Sequence, residues 1–216
     1  IRTIGYVHTF PCSLPTHYIL RDGSPEKLII SGDDQHYCFQ KYLNWKNSQL
    51  KILPSTRYLK AAESMSGYIY LPMNLPSTDI IIRSLQNLLT TDRKEAVLDL
   101  IVRNHPSMKD SKKHIKIIEK INNFLSSYKN SSMKESHESK FSIFIGSTSA
   151  PIEALEREVE VIHICDDPVF QCYSSTLWPN IKIKKIDENT YEYKLLKKGK
   201  LIKLGDGSKT FLEEYL

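Results

Sequence analysis

Apolar residues and turn signals alternate along the first sixty positions in the order strand, helix, strand. Three short β-rich runs predict strands at residues 2–8, 26–31 and 49–55. Residues 35–45 predict a helix, and Asp33 and Asp34 in front of it are residue types that cap helices. Strands joined through a helix by short turns are typical of a parallel α/β sheet.

The pattern changes after a polar junction, which predicts a domain boundary near residues 60–66. The elements expected beyond it are strands at 68–74, 96–102, 141–145 and 159–164, with helices at 78–89, 113–128 and 151–158. Polar residues 129–140 predict a surface loop. The lysine-rich tail predicts antiparallel hairpins that turn at 187–189 and at Gly199, before a short final helix over 210–216.

Two domains follow from this order. Residues 66–216 predict a complete Rossmann-like α/β domain, and residues 1–65 predict the C-terminal part of another α/β domain. Because so few strands precede residue 60, we expect the chain to be a truncated fragment of a longer protein.

The composition, 40% hydrophobic and 25% charged, predicts a globular protein. Four cysteines without paired spacing predict reduced thiols and a cytoplasmic protein, with no metal site. The net charge of +5 comes largely from lysine runs in the tail. These runs are either solvated strand faces or a surface that attracts phosphates of a nucleotide or an anionic membrane, so peripheral association with the inner face of a membrane stays open. No nucleic-acid signature accompanies them, and we expect no nucleic-acid partner.

His105 lies just past the predicted strand 96–102 and precedes Pro106. Two interpretations are open: an ordinary strand exit, or a strand that delivers its imidazole to a ligand, because ligands bind beyond the carboxyl ends of parallel strands.

The turn after the strand 141–145 offers a second candidate. Gly146 permits a tight turn, Ser147, Thr148 and Ser149 carry hydroxyls, and Pro151 suits the first turn of a helix. Such a turn either caps a helix or binds phosphate at the helix N-terminus. Glu153 is either stabilised by the helix dipole or placed to bind a ribose or sugar hydroxyl. If both turns leave the same edge of one sheet, they could hold a phosphate between them.

At these residues the chain resembles a known group. A His-Pro pair after a strand, followed about forty residues later by a Ser-Thr turn, resembles the pattern of bacterial sialyltransferases and of related transferases that use CMP-sugars or CDP-alditols. The stretch "SAPIEALEREVEVIHI" is similar to a segment of many glycosyltransferases with the GT-B fold. The strings "GYVHTF" and "LPSTRYL" are similar to proteins of bacterial surface-carbohydrate biosynthesis.

The resemblance implies a GT-B glycosyltransferase that moves a sugar from a nucleotide-activated donor to a polysaccharide acceptor without a metal cofactor. His105 would assist the departing nucleotide, Ser147 and Thr148 would bind its phosphate, and Glu153 would face the nucleoside or sugar. His8 and Arg57 would lie at the cleft between the domains. A non-catalytic nucleotide- or anion-binding module, or a sugar-nucleotide epimerase, stays open.

Two acidic pairs and one single residue carry further expectations. Asp33 and Asp34 are read as helix caps rather than a catalytic base, and Asp166 and Asp167 as a turn signal rather than a metal site. Glu158 lies between a helix and a strand, where a left-handed residue other than glycine costs roughly 1 kcal/mol. We therefore expect a turn of another kind at Glu158.

Overall fold

The computed structural model describes residues 3–55, 58, 64–129 and 140–205. It divides the chain into two compact units. The first contains the described residues of Ile1–Ser64, Tyr173–Lys182 and Leu195–Leu216, and the second those of Met65–Cys172 and Ile183–Lys194. The first passage between the units falls inside the predicted boundary region, but the assignment of all of 66–216 to one domain is wrong, because the tail returns twice to the first unit.

The first unit contains a three-stranded parallel sheet in the order β1-β2-β3. Its strands are β1 (Ile4–Tyr6), β2 (Lys27–Ile30) and β3 (Leu50–Ile52), and helix α1 (Asp33–Tyr42) connects the last two. Apolar side chains of α1, such as Phe39, pack with Leu28 and Ile30 of β2 in one core. The predicted strand, helix, strand order is confirmed, although each strand is shorter than its apolar run.

The second unit contains most of a six-stranded sheet in the order β5-β4-β6-β7-β9-β8. Its strands are β4 (Tyr68–Tyr70), β5 (Ile101–Arg103), β6 (Phe141–Ile145), β7 (Glu160–Ile164), β8 (Ile181–Lys185) and β9 (Thr190–Leu195). Strands β4 to β7 pair in parallel, and β9 pairs antiparallel with β7. The α/β class with parallel sheets is therefore confirmed.

The helices of this unit are α2 (Thr78–Leu88), α3 (Lys94–Leu98), α4 (Lys112–Ser126), α5 (Ala150–Glu156) and α6 (Pro168–Gln171). Helices α2, α4 and α5 lie where the apolar periodicity predicts them, whereas α3 and α6 were not predicted. Ile117, Ile121 and Leu125 of α4 are buried at helical spacing in a core that includes Ile69 and Ile143. None of the helices among the described residues combines the length and apolar content needed to cross a membrane.

Two predicted elements are wrong. The apolar run 96–102 does not form one strand, because Lys94–Leu98 is helical and buries Val97 and Leu98, and the strand begins only at Ile101. A short apolar run does not by itself distinguish a buried helix from a strand. The hairpin expected at Gly199 is also absent from the described tail. Residues 200–204 instead return to the first unit, where the Lys203 amide donates to the Ser31 carbonyl oxygen at 2.6 Å.

The turn at Glu158 differs from expectation as well. Glu158 adopts φ of 63°, so this non-glycine residue occupies the left-handed conformation after all. The predicted loop 129–140 lies largely, and the final helix 210–216 wholly, outside the described residues.

Candidate functional site

The two turns singled out in the second unit leave the same edge of its sheet. Strands β5 and β6 both pair in parallel with β4, so the carboxyl ends of all three point the same way. Since β4 alone separates them, the ends of β5 and β6 lie about 10 Å apart. The predicted placement of His105 and the Gly146 turn at one edge is confirmed, and this spacing suits one phosphate group reached from both sides.

His105 sits in a short, well-bonded turn. Its Nδ1 accepts from the Ser107 amide at 3.2 Å, and its carbonyl oxygen accepts from the Met108 amide at 2.9 Å. Because Nδ1 is the acceptor, the neutral imidazole carries its proton on Nε2. The side chain is half-buried, and Nε2 has no hydrogen-bond partner among the described residues. The turn therefore presents an N–H donor at the carboxyl edge.

Asn104, directly before His105, is a polar residue that the sequence reading did not single out. Its Nδ2 donates to the Met108 carbonyl oxygen at 2.7 Å, while its Oδ1 is buried without a hydrogen-bond partner. Its place at the end of a strand was the signal that could have identified it. A buried acceptor without a donor is costly in a folded protein, so this oxygen is a candidate to accept a hydrogen bond from a ligand.

Gly146 is required by its turn for two reasons. Its φ is +64°, and a Cβ at this position would lie 3.2 Å from Cγ of Pro72. The Gly146 amide donates to the Ile164 carbonyl oxygen at 2.7 Å, which ties the turn to the end of β7. The predicted tight turn at Gly146 is therefore confirmed.

The hydroxyl residues after Gly146 differ in their surroundings. Ser147 is exposed, and no hydrogen bond joins it to another described residue. Thr148 Oγ1 accepts from the Ala150 amide at 3.3 Å, so this side chain caps the start of α5. Ser149 precedes the helix and is half-buried, but its side chain makes no capping bond.

The N-terminus of α5 is a poorer anion site than expected. The helix has seven residues, Pro151 has no amide hydrogen, and the amides of Ala150 and Ile152 already donate to Thr148 Oγ1 and to the Ser149 carbonyl oxygen. These three positions therefore offer no free N–H group to a phosphate. Anion binding at the turn would depend on Ser147 and on the His105 imidazole, which lies at the same edge of the sheet.

Glu153 is already engaged within its own helix. Its Oε1 accepts from Nε and Nη2 of Arg157, each at 2.9 Å, and its side chain is 15% exposed. A ribose or sugar hydroxyl would have to compete with this ion pair. The role of Glu153 in facing the nucleoside or sugar therefore stays a prediction without support from its contacts.

Two buried histidines, missed by the sequence reading, brace the same edge. His114 lies between Ser111 Oγ and the Pro72 carbonyl oxygen, each at 3.0 Å, and so holds the exit of β4. His163 of β7 donates from Nε2 to the Gly146 carbonyl oxygen at 2.7 Å and contacts the Tyr193 hydroxyl through Nδ1 at 3.1 Å. Burial lowers the pKa of His163 to about 4, so its imidazole is neutral at physiological pH. His114 lies on helix α4 and His163 on strand β7, and the apolar pattern of neither element gives a sign of these contacts.

The acidic pair after β7 builds a turn. Asp167 Oδ1 accepts from the Val169 amide at 3.2 Å, and Gln171 Oε1 accepts from the amide of Asp166 at 3.1 Å. The described parts of the chain hold no group of three histidine, cysteine or acidic side chains placed to bind a metal ion. The turn interpretation is confirmed by the Asp167 cap.

The candidates in the first unit do not form a described site. His8 is exposed after β1, and Arg57 lies outside the described residues, so their placement at a cleft stays a prediction. The caps predicted at Asp33 and Asp34 are wrong, because α1 begins at Asp33 with Gly32 as its N-cap. Asp33 pairs with Lys200, and the buried Asp34 accepts from the amide and side chain of Asn180 at 2.9 and 2.6 Å.

Comparison with known proteins assigns the chain to no family. No protein-family model, no curated protein and no solved structure matches the chain.

Proposed function

We propose that the second unit binds the phosphate of a nucleotide-activated sugar at the carboxyl edge of its sheet, and that the chain takes part in glycosyl transfer as a GT-B-type glycosyltransferase. The observation that carries the proposal is the common direction of β5 and β6, which brings His105 and the Ser147 turn to one edge. The GT-B assignment itself rests on the sequence resemblance.

In this proposal the residues have separate roles. His105 donates from Nε2 to an oxygen of the leaving phosphate, where negative charge grows as the bond to the sugar breaks. Ser147 donates a second hydrogen bond from the other side of β4. Thr148 acts through the conformation of the turn, because its hydroxyl oxygen already accepts from Ala150. Each good donor to developing charge contributes about 10²-fold or more to a rate.

A non-catalytic nucleotide-binding module is the second candidate, and the first unit favours it. The acceptor hydroxyl in glycosyl transfer needs a base. Asp33 and Asp34 are the adjacent carboxylates that could be considered for this base. Asp33 pairs with Lys200, and Asp34 accepts two hydrogen bonds from Asn180. Neither is placed to take a proton, so binding without turnover would agree with the described residues.

Nucleotide binding tests both candidates together. We expect CMP, CDP or UDP to raise the melting temperature of the chain, by the free energy RT ln(1 + [L]/Kd). The double variant Ser147→Ala with Thr148→Ala should lose at least half of this shift. Ser126→Ala, an exposed serine at the end of α4, is the matched control and should keep the shift. No shift with any of the three nucleotides would refute both candidates.

Turnover separates the two candidates. If the chain releases nucleotide from CMP- or UDP-sugars, His105→Ala should reduce the rate about 10²-fold while the circular dichroism spectrum stays unchanged. His105→Gln retains an N–H donor near the Nε2 position and should keep part of the rate. An unchanged rate in His105→Ala would remove His105 from the mechanism, and no release by the wild type would leave the binding module.

A further inference from the structure

We infer that His163 is a positioning residue, which sets the conformation of the Gly146 turn through a side-chain hydrogen bond and thereby places Ser147 for the phosphate. This inference rests on the proposed function and deepens it. It assigns a role to a residue that touches no ligand and lies on the strand next to the one that carries the turn.

The backbone of the turn is fastened to β7 at both of its polar groups. The Gly146 amide donates to the Ile164 carbonyl oxygen at 2.7 Å, and the Gly146 carbonyl oxygen accepts from His163 Nε2, also at 2.7 Å. Two short bonds on one residue fix the orientation of the peptide that leads into Ser147. The Gly146–Ser147 peptide is therefore held by a side chain and not by the sheet ladder alone.

The imidazole is held in one tautomer. Because the Gly146 carbonyl oxygen can only accept, Nε2 must carry the proton, and Nδ1 is left as an acceptor for the Tyr193 hydroxyl at 3.1 Å. Tyr193 is fully buried, and its hydroxyl also contacts Cys172 Sγ at 3.2 Å. Cys172, Tyr193 and His163 thus form one chain of contacts that ends on the turn.

Packing alone would not select this residue. Val161 and Ile162, earlier on the same strand, are fully buried apolar side chains, whereas His163 is fully buried and polar. An apolar side chain would fill the space but would leave the Gly146 carbonyl oxygen without its side-chain donor. The position is therefore explained by the bond that it makes to the turn.

The test compares three variants of the full chain. His163→Leu removes the donor, His163→Gln keeps an N–H near the Nε2 position, and Val161→Ala weakens the same strand without touching Gly146. We expect His163→Leu to raise the Kd of the bound nucleotide (CMP, CDP or UDP) about tenfold by titration calorimetry. His163→Gln should stay within about twofold of the wild type, and Val161→Ala should lower the melting temperature at an unchanged Kd.

Two results would overturn the inference: an unchanged Kd in His163→Leu, or a Kd in His163→Gln raised as far as in His163→Leu. If His163→Leu does not fold, Tyr193→Phe takes its place, and binding equal to the wild type would count against the inference.

If the wild type binds none of the three nucleotides, the proposed function fails by itself. The rate of hydrogen exchange at the amides of Ser147 and Thr148 then tests whether His163 positions the turn. Exchange should be faster in His163→Leu but not in Val161→Ala, and equal rates in His163→Leu and the wild type would overturn the positioning role.

Discussion

Replacing Gly32 with alanine should destabilise the first unit by about 3 kcal/mol, at the upper end of what one added methyl group costs in a packed site. An alanine Cβ would lie 2.0 Å from the Leu201 carbonyl oxygen and 2.5 Å from its carbonyl carbon. These are backbone atoms, which cannot rotate away, and residues 200–203 are pinned nearby. The Lys200 carbonyl oxygen accepts from the Asp34 amide at 3.1 Å, and the Lys203 amide donates to Ser31 at 2.6 Å.

The measurement has a natural probe. Both tryptophans, Trp45 and Trp178, are buried in the first unit, so urea unfolding followed by tryptophan fluorescence reports on that unit. Gly23→Ala is the matched control, because a Cβ there meets nothing within 4 Å and only the left-handed φ of +86° costs roughly 1 kcal/mol. Equal unfolding midpoints for the two variants would contradict the close packing of residues 200–203 against Gly32.

The elements that periodicity predicts well are those in which one pattern runs without interruption. Strand β6 has the predicted bounds, and α4 buries Ile117, Ile121 and Leu125 at helical spacing. The run 96–102 failed because its apolar residues serve two elements, a helix ending at Leu98 and a strand starting at Ile101. Local pattern cannot reveal that division, since it depends on which part of the core each half fills.

The tail shows a different limit. Residues 200–204 combine two lysines with three apolar residues and were predicted to belong to a hairpin, yet Lys203 bonds to Ser31 and Ser55 of the first unit. Glu158 is similar, because local preference predicts another turn while the structure holds it at φ of 63°. In both places the contacts made after folding outweigh the local preference.

Part of the candidate site was predictable, and part was not. The common edge of His105 and the Gly146 turn follows from strand direction alone, which any alternating strand-helix pattern implies. Glu153 already pairs with Arg157, and the Ala150 amide of α5 already donates to Thr148 Oγ1. Both facts depend on short contacts that no sequence motif encodes. The role of His163 was hidden for the same reason, because within an apolar strand its partner is a backbone atom of the neighbouring strand's turn.

Acidification should destabilise the second unit through His163, by about 3 kcal/mol between pH 6.5 and pH 4. Burial lowers the pKa of this histidine from 6.5 to about 4 in the folded chain. Within that interval the unfolded chain binds a proton that the folded chain does not, so the free energy of unfolding falls as the pH falls. Above pH 6.5 the contribution is complete, and below pH 4 it declines no further. The ring contacts the Gly146 carbonyl oxygen through Nε2 and the Tyr193 hydroxyl through Nδ1.

His163→Gln isolates this contribution from the other histidines, because glutamine keeps a donor for Gly146 and does not titrate. Urea unfolding followed by circular dichroism, at pH 7.5, 6, 5 and 4, should show a difference in the free energy of unfolding between the wild type and His163→Gln that changes with pH. The wild type should lose about 3 kcal/mol more than the variant over this range, while tryptophan fluorescence reports the first unit separately. A constant difference between the two proteins at all four pH values would mean that the imidazole does not stay neutral in the folded chain, and would contradict the assignment of Nδ1 as an unprotonated acceptor for the Tyr193 hydroxyl.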